Sequence, residues 1–284
     1  MAQNSPVEWC DHTWTLVVGC EPVSPACAKC YAALMAARLE AMGQGKYAGL
    51  AVRSGGLGKW TGEVRFDSSV LDLPLRVRKP GRWFLSSMGD IGHHKVSDDQ
   101  IRLAFATMEK ADWHTFLVLT KRAARFARIL DGRPLPNVLI GCTAEDQAQA
   151  DAHREAMQTV AARGWRTFVS YEPALGAVDW SGWEFLELLI SGGEDAIGAR
   201  PSHVVWHRSA RDFAARNNVG YMFKQWGTWL PVGQQPAGDP DRWTRNYFDS
   251  RGIDARNYGK KAAGRLLDGV EHNATAPARA PRRG

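Results

Sequence analysis

Residues 13–42 read TWTLVVGCEPVSPACAKCYAALMAARLEAM. The stretch opens on a β-rich run, TWTLVVGC, that ends at Cys20. It closes on CYAALMAARLEAM, where apolar Tyr31, Leu34, Met35, Leu39 and Met42 recur at helical spacing. Between them lies a proline-bearing loop. A strand, a loop and a helix in that order are the opening of an α/β unit. Three cysteines sit across it, Cys20, Cys27 and Cys30, spaced C-x6-C-x2-C, with the aromatic Tyr31 directly after the last.

Working outward, the same alternation repeats. RWFLSSMGD (82–90) is strand-like. DDQIRLAFATMEKAD (98–112) is an amphipathic helix with Ser97 or Asp98 as its N-cap. Strand runs HTFLVLTKR, NVLIGCTAEDQ, RTFVSYEPALG, FLELLISGGE and GYMFKQWG follow, with helical patterns in AARFARILDG, AQADAHREAMQTVAARG and SARDFAARNNVG. Seven strand candidates with helices between them predict a parallel α/β fold. Nearly every strand ends in polar or reactive residues: Cys20; Ser87 and Asp90; Thr120, Lys121 and Arg122; Thr143 and Glu145; Ser170 and Glu172; Ser191 and Glu194; Lys224 and Gln225. In barrels the C-terminal strand ends form the active face, whereas an open doubly wound sheet binds ligands only near its switch point. Polar ends on all seven strands predict a partial or full parallel (β/α) barrel. One domain over 1–272 is expected, with a long Gly-rich loop at about 43–80 and a disordered basic tail over 273–284 that carries Arg279, Arg282 and Arg283.

The chain has 284 residues, 44% hydrophobic and 23% charged, a globular balance. No run approaches the length of a membrane span, and the N-terminus lacks a basic start followed by an apolar core, so neither membrane nor signal peptide is expected. The net charge of +6 favours acidic partners, nucleic acid among them. Five cysteines, three of them clustered, argue for metal or redox chemistry in a cytoplasmic chain over a disulfide framework.

Two cysteines three apart at the start of a helix, with a third from the preceding loop, make a three-point mount. On a four-iron cluster that leaves one iron open for chemistry, where four thiolates would close it. Cys10 offers an alternative, a structural zinc site with C-x9-C-x6-C-x2-C spacing. Zinc sites usually pair CxxC with CxxC, and a strand of about seven residues would set Cys10 roughly 20 Å from Cys20. Cys142, inside a strand, reads as core.

The cysteine triplet after the first strand resembles the radical S-adenosylmethionine enzymes, although their usual first gap is three residues and here it is six. More closely, VEWCDHTWTLVVGCEPVSPACAKCYA, RWFLSSMGD, FLVLTKR, PNVLIGCTAEDQ, FVSYEPALG, LLISGGEDAIGARP, FKQWG and GKKAAGRLLDG resemble the phage-associated three-Cys-motif family, a radical-SAM-like group without an established reaction. The resemblance implies a barrel of the radical-SAM type. It implies a 4Fe–4S cluster on Cys20, Cys27 and Cys30, and S-adenosylmethionine chelated by the open iron. It also implies an electron donor, a 5′-deoxyadenosyl radical that takes a hydrogen from substrate, and a three-Cys-motif partner protein. The host would be a bacterial or phage-infected cell.

The strand ends then take expected roles. SSMGD stands where such enzymes hold the methionine amino group, which nominates Ser86, Ser87 and Asp90. Thr143 and Glu145 suit the ribose, and Gly192, Gly193 and Glu194 suit backbone approach to adenine. Lys121 and Arg122 suit a carboxylate or phosphate of substrate. Glu172, Lys224 and Gln225 would meet substrate, with Trp226 stacking on a base. His93 and His94 read as solvated loop residues. The alternative of another class is a non-catalytic, zinc-stabilised nucleic-acid-binding module.

Overall fold

The runs read as strands pair as strands of one sheet. The structure, a computed structural model, describes residues 5, 7–130, 132–235 and 246–276. Its strands are β1 (His12–Trp14), β2 (Val17–Val18), β3 (Ala51–Ser54), β4 (Leu57–Trp60), β5 (Arg65–Phe66), β6 (Arg82–Leu85), β7 (Thr115–Thr120), β8 (Val138–Thr143), β9 (Arg166–Tyr171), β10 (Leu188–Gly192), β11 (Gly220–Gln225), β12 (Trp229–Pro231), β13 (Asn246–Phe248) and β14 (Asp254–Asn257). Its helices are α1 (Tyr31–Ala41), α2 (Leu73–Arg76), α3 (Asp98–Lys110), α4 (Ala123–Ile129), α5 (Gln147–Ala162), α6 (Val204–Arg216) and α7 (Gly259–Ala263). The seven-stranded sheet has the order β1-β6-β7-β8-β9-β10-β11, with β1 and β11 at its edges. The expected α/β class is therefore correct, in the partial-barrel form with parallel strands. Among the described residues no helix is long and apolar enough to cross a membrane.

The chain divides into two compact units. One comprises Met1–Cys142, Glu155–Phe168 and Ala276–Gly284, the other Thr143–Arg154 and Val169–Thr275. In the first unit β1, β6, β7 and β8 run in register, Trp14 opposite Leu85, Leu85 opposite Val118 and Val118 opposite Ile140. Trp14, Trp83, Phe116 and Phe126 are fully buried in its core. Burial of each such side chain stabilises by about 1.5–3 kcal/mol. Helix α3 packs Ile101, Ala104 and Met108 into this core. It starts on a capping box in which Ser97 Oγ accepts from the Gln100 N–H (3.2 Å) and Gln100 Oε1 accepts from the Ser97 N–H (2.9 Å).

Two expectations change in this unit. The first sheet strand ends at Trp14 rather than running to Cys20, because Val17–Val18 leaves the sheet to pair antiparallel with Arg65–Phe66. The Gly-rich stretch is not one long loop, since it folds in part as the β3–β4 hairpin, Ala51 opposite Trp60. That hairpin decides which face of α1 is buried. A Cβ on Gly58 would stand 2.0 Å from the Leu34 backbone nitrogen, so the hairpin backbone lies directly on the helix. Only small side chains fit beneath it. Ala32, Ala33, Ala36 and Ala37 are buried, while Tyr31, Met35 and Met42 of the predicted apolar stripe are exposed.

In the second unit β10 and β11 pair in parallel, Leu188 opposite Gly220, and β12, β14 and β13 form a small antiparallel sheet. Of the expected tail, Asn273 forms an isolated bridge with Met222, and residues 277–284 lie outside the described residues.

Candidate functional site

The cysteine loop is built by backbone constraints. After β2, Gly19 takes φ +89° and its N–H donates to the Met88 carbonyl at 3.0 Å. A Cβ there would lie 2.1 Å from the Glu63 carbonyl oxygen, so only glycine makes this turn into Cys20. Ser24 and Pro25 then open a single 3-10 turn, Pro25–Lys29, that carries Cys27, and Cys30 is the N-cap of α1. All three are free thiols, partly exposed.

One ammonium lies within the electrostatic reach of all three sulfurs. Lys121, at the end of β7, feels Cys27, Cys30 and Cys20 together with Asp90. Burial pushes its ammonium below the ordinary lysine range, while these four partly offset that. The thiols themselves differ. Burial and the Asp90 carboxylate push Cys20 up to about 12, against the pull of Arg122. Burial acts on Cys27 too, but the Lys121 charge, backbone N–H groups and the Ser24 hydroxyl outweigh it and leave Cys27 below the ordinary thiol range. Cys27 is thus a readier thiolate than Cys20.

Among the described residues, no three cysteine sulfurs lie mutually within 4.8 Å. A tetrahedral zinc with Zn–S near 2.3 Å would hold thiolates about 3.8 Å apart. Cys10 does not join them. It is buried and donates to Ser5 Oγ (3.2 Å), beside the Asp11–Arg82 ion pair at the start of β6. A four-iron cluster places each thiolate on its own iron and so takes a wider triangle, which three partly exposed sulfurs that are not drawn together suit.

The SSMGD candidates separate on inspection. Ser86 takes φ +63° and is 3% exposed, with its hydroxyl unpartnered among the described residues. A non-glycine held left-handed with a lone buried hydroxyl is a place where the fold keeps strain, and such places cluster at ligand clamps. Ser87 latches the loop to α1, its carbonyl accepting from Tyr31 OH (3.1 Å). Asp90 is occupied by protein donors: the Gly92 N–H (2.8 Å), Thr120 Oγ1 (2.7 Å), the Lys121 N–H (3.1 Å) and Arg122 Nη1 (2.7 Å). It ties the ends of β6 and β7 together rather than presenting a free carboxylate. Arg122, expected at substrate, is held by Asp90 and Glu21.

The sequence reading missed Glu21 and misjudged His93. His93 is fully buried, stacked on exposed His94 (4.4 Å between centroids), and both face Glu21 Oε1 at 3.4 and 3.3 Å. Burial, then the Arg122 charge, pushes His93 down to about 4. The available signal was an acidic residue directly after the first cysteine, with a glycine before the histidine pair.

The second unit holds the remaining candidates. Glu172 and Lys224 form an ion pair at 2.7 Å, 18% and 15% exposed. Glu194 closes its loop on Arg200, accepting the backbone N–H (2.7 Å) and Nε (2.8 Å). Thr143, Glu145 and Gln225 are buried, and the Glu145 carbonyl accepts from the Leu175 N–H at 2.7 Å. A Cβ on Gly193 would meet the Trp226 carbonyl oxygen at 1.9 Å, so this glycine serves packing, whereas a Cβ on Gly192 would stay 3.4 Å from its nearest neighbour, the Gln225 carbonyl oxygen. Trp226 is no stacking platform. It is 1% exposed, its Nε1–H donates to the Leu266 carbonyl (2.8 Å), and Phe223 and His207 cover its ring.

Several solved structures resemble this fold. The spore photoproduct lyase complexed with dinucleoside spore photoproduct is 13% identical, covers 91% of this chain and 71% of its own, and gives a TM-score of 0.42. A cysteine-to-serine mutant of that lyase gives 13%, 91%, 71% and 0.47. A double mutant with bound AdoMet and dinucleoside spore photoproduct gives 12%, 88%, 68% and 0.39. Likenesses this distant assign neither chemistry nor substrate to the chain. No curated protein matches the sequence. Residues 4–276 match the model of the family described as protein of unknown function (DUF5131), and the chain belongs to that family.

Proposed function

We propose that the chain is a radical S-adenosylmethionine enzyme in which Cys20, Cys27 and Cys30 hold a 4Fe–4S cluster with one open iron, and that its substrate is a nucleic-acid base. The observation that carries the reading is the set of three free, partly exposed thiols within the field of the Lys121 ammonium, no three sulfurs lying mutually within 4.8 Å as a single zinc requires. When bound, the cluster and S-adenosylmethionine supply reductive cleavage of the sulfonium and a 5′-deoxyadenosyl radical that abstracts hydrogen.

The chain's own residues do the rest. Cys27 offers metal a readier thiolate than Cys20 does. Lys121 offsets the thiolate charge. Asp90 fixes the two strand ends beside the loop, and the lone hydroxyl of Ser86 offers a hydrogen bond to the cofactor's methionine end. Thr143, Glu145 and Gly192 are assigned to S-adenosylmethionine, and Glu172, Lys224 and Gln225 to substrate, by their strand-end positions. The electron comes from an external donor. The nucleic-acid substrate rests on the net charge of +6.

Anaerobic reconstitution tests the reading. The expected outcome is broad visible absorbance and dithionite-dependent 5′-deoxyadenosine, both abolished by Cys27→Ala, with the yield raised by added DNA. A colourless protein carrying one equivalent of zinc would establish the binding-module alternative instead.

A further inference from the structure

Arg122 is where the strand-end charges meet the cysteine loop. Its Nη1 lies 2.7 Å from Asp90 Oδ2 and 3.9 Å from Cys20 Sγ, and its Nη2 lies 3.3 Å from Glu21 Oε1. The side chain is 15% exposed. Asp90 is itself pinned by Gly92, Thr120 and Lys121, so the guanidinium cannot leave without stripping a buried carboxylate of its countercharge. A planar fork anchored on two carboxylates has its direction fixed, and the sulfur lies within its reach. In the free thiol, Cys20 Sγ donates to the Glu21 carbonyl at 3.4 Å. As a metal-bound thiolate it becomes an acceptor only, and the Arg122 N–H is the donor already beside it.

The neighbouring Glu21, His93 and His94 place three ligand atoms within 4.8 Å of one another, yet they do not compose a second metal site. His93 Nδ1 accepts from the Lys95 N–H (3.2 Å), which leaves the ring proton on Nε2, the atom facing Glu21. The Arg122 guanidinium also claims the same carboxylate oxygen. These groups steady Arg122 instead.

We infer that Arg122 is a positioning residue that sets the reduction potential of the cluster, by donating a charge-assisted hydrogen bond to the Cys20 sulfur. The inference rests on the cluster reading above. A cationic donor on a ligand sulfur favours the state with the added electron, so it raises the potential. A difference of about 1.4 kcal/mol in that bond between the two oxidation states changes the reduced-to-oxidised ratio about tenfold, which is 59 mV for one electron.

Redox titration of the reconstituted full-length protein, followed by electron paramagnetic resonance, provides the main test. Arg122→Gln is expected to lower the reduced-to-oxidised ratio about tenfold at fixed poise with iron content unchanged. Arg122→Lys, which keeps the Asp90 pair but cannot span to the sulfur, is expected to shift it less; should the glutamine variant not fold, the lysine variant carries the readout. A second arm needs no iron. In the apoprotein, iodoacetamide labelling at Cys20, measured relative to Cys27 in the same molecules by peptide mass spectrometry, is expected to fall several-fold in Arg122→Gln as the thiolate loses its cation. Unchanged potentials together with an unchanged labelling ratio overturn the proposal. Absence of iron uptake by the wild type defeats the cluster reading itself, a failure the metal-free labelling arm keeps separate.

Discussion

The two units end their strands in opposite ways. In the first, the carboxylate after β6 and the arginine after β7 pair beside the Cys20 sulfur, and the surrounding charges leave the thiols unequal, Cys20 pushed up to about 12 and Cys27 down. In the second, Glu172 is matched by Lys224, and Glu194 by Arg200 six residues on. There the buried imidazole of His207 is satisfied on both nitrogens, by Ser191 Oγ (3.2 Å) and Ser202 Oγ (2.8 Å). Polar residues at the ends of parallel strands are therefore not by themselves a site. They make one where a ligand-donating group stays within their field, and where they neutralise one another a ligand has to join or displace the pair.

The largest effect that tests this contrast falls on the support of α1. Gly58→Val pushes side-chain atoms into the Leu34 backbone, which no rotamer relieves. It is expected to cost about 3 kcal/mol or more, a fall of roughly 6–12 °C in the thermal midpoint. Because Cys30 caps that helix, iron uptake should fall with it. A variant that loses stability but loads iron normally would uncouple the sulfur mount from its helix and break the account of the first unit.

The next effect probes the second unit. Lys224→Met strands a mostly buried Glu172 and should cost about 2–3 kcal/mol, less than the 3–5 of a fully buried pair because both ends keep some water. Adding Glu172→Leu should recover most of that loss in urea unfolding. If stability returns while 5′-deoxyadenosine formation stays lost, the pair has a role in turnover and the contrast between the units narrows. If both return, the pair is structural.

Much of this was legible in the sequence, and the limits have physical causes. Each predicted sheet strand pairs in the sheet because a run such as TFLVLT or VLIGCT is apolar between its ends, as a strand buried on both faces must be. The Ser97 cap was legible because capping is local. What approaches a surface from far along the chain was not. The period of α1 identified a helix, but the buried face is alanine because Gly58 brings a hairpin against it. Trp226 looked like a platform beside Lys224 and Gln225, and only the fold shows Leu266 accepting from its indole. The spacing of the three cysteines nominates them together, while Glu21 and Arg122 pair across about a hundred residues of chain, which no local pattern reveals.

The smallest effect concerns the buried histidines, and it bears on whether titration marks a site. Burial comes first for both: His93, beside Glu21, is pushed down to about 4, and His207, boxed by Phe223 and Trp226, to about 3. A histidine whose folded pKa lies below its unfolded value of 6.5 contributes full stability above that pH. As pH falls below it the unfolded chain takes up the proton and the folded chain does not, so stability drops by at most about 1.4 kcal/mol per pH unit per histidine. Between about pH 6.5 and pH 5 both folded imidazoles stay neutral, and paired carboxylates are still ionised in both states, so the window isolates the histidines. Urea midpoints should therefore decline on acidification in the wild type, and His93→Gln and His207→Gln should each flatten that decline by the same amount, although only one of them stands beside the cysteine loop. Equal flattening makes the pH response a measure of burial common to both units. A flattening in His207→Gln alone would mean that Glu21 already holds a proton on His93 in the folded chain, and the charge network of the first unit would then include an imidazolium.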